Sequence, residues 1–176
     1  MYKQWQFWVV ALVTGFFGGA LMLLIQLALF HLMPEWFSPV YILIYLVPFV
    51  AMAFAAVRLR ERYGDGVLSF GQAFRLSLIT GLITAAVMSV LTYFVYDSLF
   101  ASALQLRAAQ LNAAIVKMDM ELDFELMKQR RNMVAQLMGP SALALFYFVM
   151  QLLLLPIYAF IIAIFARRRR RDITDI

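Results

Sequence analysis

Residues 132–166, NMVAQLMGPSALALFYFVMQLLLLPIYAFIIAIFA, contain no Asp, Glu, Lys or Arg, and five arginines come directly after them: Arg167, Arg168, Arg169, Arg170 and Arg171. An α-helix needs about 20 consecutive apolar residues to cross a hydrocarbon core of about 30 Å, and this stretch exceeds that length. Stretches 4–34, 36–57 and 76–96 lack the same four residue types. With no water at that depth, backbone amides and carbonyls must pair within their own segment, which a helix achieves. The pattern predicts an all-α, polytopic membrane protein whose four transmembrane helices cover about 5–33, 37–57, 74–97 and 141–166.

Composition leads to the same class. A chain of 176 residues that is 65% hydrophobic and 14% charged would expose large apolar patches in water. Four spans and one polar excursion use up residues 1–176, so a single membrane domain is expected, with no room for a separate catalytic domain. The first apolar stretch is too long for a signal peptide, and Gly15, Gly18 and Gly19 lie in its middle, so it reads as a retained helix. Cysteine is absent, which excludes disulfides, a thiolate nucleophile and Cys-based metal sites.

Lys and Arg near the span ends set the orientation. Lys3, Arg58, Arg60, Arg62, Arg75 and Arg167 to Arg171 fall on one side, which is therefore expected to be cytoplasmic, together with both termini. The loop from His31 to Pro39 has no Lys or Arg, and the one from about Asp97 to Leu137 balances its cations with acids. Trp5, Trp8, Trp36 and Phe37 occupy the positions of interfacial aromatic anchors. A run of arginines directly after a span acts as a stop signal and a partner for anionic lipid headgroups, so Arg167 to Arg171 are assigned to lipid and not to nucleic acid.

Small residues indicate how the spans pack. Gly15 and Gly19 recur every fourth position after Ala11, and Ser77, Gly81 and Ala85 do so on the third span, continuing to Ser89. Such stripes let backbones approach where lipid removes the hydrophobic drive for association. The expectation is that Gly15 and Gly19 pack against Gly81 and Ala85; a homo-oligomeric contact through the first stripe is the alternative. Pro48 and Pro156 interrupt the second and fourth spans. Tyr63-Gly64-Asp65-Gly66 has the residues of a chain reversal that tolerate positive φ.

Between the third and fourth spans, Leu104, Ala108, Leu111, Ile115 and Met118 keep a helical period outside the membrane. A second helix is expected from Asp119, where Asp119, Glu121, Asp123 and Glu125 precede Lys128, Arg130 and Arg131, matching the helix dipole. The segment 101–137 thus reads as an extracytoplasmic helical hairpin, held by Leu111, Ile115, Leu122 and Leu126. Phe124, Met127 and Arg131 would then face a partner or the membrane surface.

The loop leading into Ser69-Phe70-Gly71-Gln72-Ala73-Phe74, Gly81 one turn further on, the amphipathic insert and a last hydrophobic helix ending in basic residues resemble the bacterial membrane family called domain of unknown function 4199. That resemblance implies a small inner-membrane protein of four helices. It brings no established activity or catalytic residue.

The sequence offers little chemistry. No span carries an ionisable residue near its middle, as a proton-coupled transporter normally does. The deepest polar side chains are Gln26, Gln151, Thr80, Thr84 and Thr92, types that bond across helices. His31 and Glu35 are separated by Pro34, which breaks the helical turn needed to pair them. Met118-Asp119-Met120, with Met127, Met133 and Met138 further on, has thioethers suited to Cu(I) but no Cys or His to reinforce them, and methionine fills apolar gaps equally well. The G-x-x-x-x-G-K-[ST] phosphate cradle is absent. No catalytic, cofactor-binding or metal residue is assigned, and no cofactor is expected. These features fit a non-enzymatic accessory or scaffold subunit in the bacterial inner membrane, binding the bilayer and a protein partner or a second copy of itself. The alternative is a small oligomeric transporter or channel, and an enzyme acting on lipid-linked substrates near Asp97 stands third.

Overall fold

An apolar segment that must satisfy its own backbone becomes a helix, and among the described residues of the computed structural model every element longer than a turn is one. The structure describes residues 3–32, 42–118 and 124–167. Its helices are α1 (Gln4–Leu32), α2 (Ile42–Tyr63), α3 (Phe70–Ser98), α4 (Ala101–Met118), α5 (Phe124–Leu137) and α6 (Pro140–Ala166). Four of them, α1, α2, α3 and α6, are long and apolar enough to cross a membrane. Their 22 to 29 residues correspond to about 33–44 Å at 1.5 Å per residue, against a core of about 30 Å.

Two helices run past their uncharged stretches. The α2 helix continues past Val57 to Tyr63, carrying Arg58, Arg60 and Arg62 as helical residues, because arginine propagates a helix well whatever its polarity. It stops where the N–H groups of Gly64 and Gly66 both donate to the Arg60 carbonyl, at 3.2 and 3.0 Å. Asp65 and Gly66 take up φ of 51° and 77° there, the positive values for which the turn is suited. The α3 helix then begins at Phe70, about one turn before its apolar run. Ser69 Oγ accepts from the Gln72 N–H at 3.3 Å, and Gln72 Oε1 accepts from the Ser69 N–H at 3.1 Å. This reciprocal capping box satisfies two donors that a helix start otherwise leaves open.

The described residues fall into two compact units, one within Met1–Met88 and Phe148–Ile176, the other within Ser89–Tyr147. In the first, Met52, Leu59, Leu68, Leu76, Leu155 and Ile162 are the larger side chains of one buried cluster that is otherwise mostly alanine. Its outer surface is apolar too: Phe16, Phe17, Val50, Phe54, Leu153 and Phe165 are all exposed. In the second unit α4 and α5 pack on each other. Leu104 and Ala108 are buried, and Ser89 Oγ donates to the Ala144 carbonyl at 3.0 Å.

The small-residue stripes do not pair as expected. A Cβ built on Gly15 would come within 2.9 Å of the Thr80 carbonyl, and one on Gly19 within 2.9 Å of the Thr84 carbonyl. Successive turns of α1 therefore meet successive turns of α3 in the same direction, and the two helices run parallel. Gly81, however, does not face α1. Its missing side chain makes room for Leu155 of α6 and Met52 of α2. Ser77 and Ala85 are both buried. The α3 helix is therefore tight on more than one side: Thr80, Ile83, Thr84 and Val87 receive α1, and Gly81 receives α2 and α6. Periodicity locates a stripe of small residues, but it does not say which helix lies against it.

Candidate functional site

Polar groups inside the first unit are the natural carriers of any chemistry. Thr14, Gln26, Ser77, Thr80, Thr84 and Gln151 are all buried. Thr84 Oγ1 donates back to the Thr80 carbonyl at 2.9 Å, an i to i−4 bond that hides the hydroxyl within its own helix. Gln151 Nε2 reaches Met22 Sδ at 2.7 Å, joining α6 to α1. By contrast, Thr14 Oγ1, Ser77 Oγ, Thr80 Oγ1 and Gln151 Oε1 have no hydrogen-bond partner among the described residues. Among the described residues no three His, Cys, Asp or Glu side chains converge as a metal site would require.

Next to Thr14 the surface opens. A groove enclosing about 460 Å³ runs between α1 and α2, lined by Val13, Phe17 and Leu21 on one helix and Leu43, Leu46 and Val50 on the other. Thr14 also lines it, and Arg58 stands at one end. Gly18 lets the two helices close beneath the groove, because a Cβ there would lie 2.9 Å from Ala51 Cβ. A second, much smaller cleft lies among Tyr45, Pro48, Gln151 and Tyr158, between the proline-containing segments of α2 and α6. Pro48 offers no N–H, so the Ile44 carbonyl lacks its helical donor beside this cleft.

Arg60, two residues from Arg58 on α2, makes a polar tie to α6. Its Nη1 donates to the Ala166 carbonyl at 3.5 Å and its Nη2 pairs with Glu61 at 3.0 Å. The guanidinium thus sits at the C-terminus of α6, where the helix dipole favours a cation.

The residues expected to meet a partner lie on α5. Arg131 is exposed and Met127 half-buried, while the side chain of Phe124 lies outside the described residues. Asp119, Met120 and Leu122, on which the start of the second arm and part of the methionine cluster depended, lie outside them too, as do Glu35 and Arg168 to Arg171. Leu126 is 49% exposed and so does not fill the seam with α4. Gly18, Thr14 and the Arg58 groove were not singled out by sequence reasoning. The sequence carried a signal for the first, a third glycine off the four-residue stripe, but none for the groove.

A family profile described as protein of unknown function, DUF4199, matches residues 5–168. The chain belongs to the DUF4199 family. The match takes in both the Ser69 to Phe74 motif on which the resemblance rested and the first two helices. No curated protein and no solved structure matches the chain.

Proposed function

We propose that this DUF4199 protein is a non-enzymatic accessory or scaffold subunit of a bacterial inner membrane, with both termini in the cytoplasm, and that it binds another membrane or envelope protein through the 101–137 hairpin. The observation that carries the proposal is the state of α5. No described side chain of this helix is buried, and Leu126, Met133 and Leu137 are exposed along with its charges. Most stability of so short a helix comes from packing an apolar face, and α4 leaves Leu126, Met133 and Leu137 uncovered. A partner covering α5 would provide that packing. The parallel course of α1 and α3 is what a chain that crosses, returns through α2 and crosses again would have.

The test replaces 101–137 with a short Gly/Ser linker and compares co-purifying membrane proteins with those of the intact chain, alongside a photo-crosslinking residue at Met133. Expected are a monodisperse, membrane-inserted variant that has lost its partner, and a crosslink from Met133 to that same protein. Retention of the partner by the linker variant would move the binding surface to the spans. The buried, unpartnered hydroxyls of Ser77 and Thr80 favour a second reading, a small oligomeric transporter or channel with a polar path through the helices.

A further inference from the structure

We propose that the groove between α1 and α2 is a binding site for one anionic phospholipid of the leaflet on the Arg58 side. Its phosphate would lie on the Arg58 guanidinium, a glycerol-ester carbonyl on the Thr14 hydroxyl, and one acyl chain along Phe17, Leu46 and Val50. The assignment rests on the membrane reading of the helices but is independent of what the hairpin binds.

Three observations converge on it. Arg58 is half-buried at the mouth of an otherwise apolar groove, and no carboxylate among the described residues pairs with it. A cation so placed selects an anion. Thr14 is only 7% exposed, yet its hydroxyl has no partner among the described residues and lines the same groove. A buried donor left unpaired is costly, and an ester carbonyl would accept from it. The third observation is spacing. Gly18 and Ala51 fix the register of the antiparallel pair α1 and α2. From that level Thr14 is four residues and Arg58 seven residues towards the same end, or about 6 and 10 Å at 1.5 Å per residue. The cation therefore stands about 4–5 Å beyond the hydroxyl along the axis, the order in which a phosphate and an ester carbonyl succeed each other into a leaflet. In the other direction the groove runs to Leu43, about 18 Å from the Thr14 level by the same rise, enough for the roughly 15 Å of hydrocarbon in one leaflet.

Native mass spectrometry of the detergent-purified full chain tests this with phosphatidylglycerol and phosphatidylcholine of matched acyl chains. The intact protein should retain one phosphatidylglycerol preferentially. Arg58→Gln should weaken that retention about tenfold, as expected for a charge-assisted hydrogen bond, while Arg58→Lys keeps most of it. Thr14→Val should weaken it about threefold to tenfold, whichever headgroup is present. Val50→Trp, at a position 63% exposed and clear of the packed core, should plug the groove and lower retention of both lipids. Glutamine at all five tail arginines, Arg167 to Arg171, should leave the tightly held lipid in place. Equal retention of the two lipids by the intact chain overturns the assignment, as does full retention by Arg58→Gln or loss only in the tail variant. A protein dimer that Val50→Trp disperses, without change in lipid retention, would show that a second copy occupies the groove. Thermal unfolding of each variant separates lost lipid from lost fold, and partner capture through the hairpin should not change in any of them.

Discussion

A single methyl group measures how closely α1 lies on α3. At Gly19 an added Cβ would sit 2.7 Å from Val87 Cβ and 2.9 Å from the Thr84 carbonyl, and the carbonyl belongs to a backbone that cannot rotate away. Gly19→Ala should therefore destabilise the protein by roughly 1–3 kcal/mol, the usual cost of overpacking. At Gly71 nothing lies within 4 Å, and the residue is in the first turn of a helix. Gly71→Ala should stabilise by roughly 0.5 kcal/mol through the smaller backbone entropy lost on folding. Thermal unfolding in one detergent compares the two, and equal shifts would mean that α1 is not seated on α3. The sequence placed Gly19 in a packing stripe and Gly71 in the motif ahead of the third span, but it could not say how close the neighbours of either lie. The difference is made by a residue of a different helix, far along the chain, for Gly19 and by open space for Gly71. The same holds for Thr14 and Arg58, which share a groove although they come from different helices.

At the scale of elements, the start of α3 rests on the reciprocal bonds of Ser69 and Gln72. Ser69→Ala should cost about 1 kcal/mol. Gln72→Ala should cost less, and the double substitution should cost less than the two separately, since each bond helps to place the other. A double-mutant cycle of unfolding free energies checks this, with strict additivity as the contrary result. The Ser-x-x-Gln spacing was present in the sequence as part of the family motif, and its role in starting the helix emerges once both bonds are seen. Long apolar runs were legible because span length is a strong constraint, whereas their ends were not, because α2 carries its arginines without leaving the helix. The α5 helix shows a third limit. It has apolar residues on two faces, and periodicity cannot decide which of them meets α4; Leu126, placed in the seam by spacing, is exposed.

For the whole molecule, the cation count predicts sidedness that single-cysteine labelling can check, because the chain has no cysteine of its own. In intact cells an impermeant thiol reagent should label a cysteine at Gln110 and leave one at Asp65 untouched until the membrane is opened. The reverse pattern would invert the topology. Both positions are exposed, so access within the protein does not confuse the result. The space above Gly81 has a further consequence for biogenesis. It is occupied by Met52 from α2 and by Leu155 from α6, and the latter helix is made after α1, α2 and α3. Until α6 has been made, only Met52 of these two can fill that notch. A product cut off before residue 155 would therefore lack the side chain that lies nearest to Gly81.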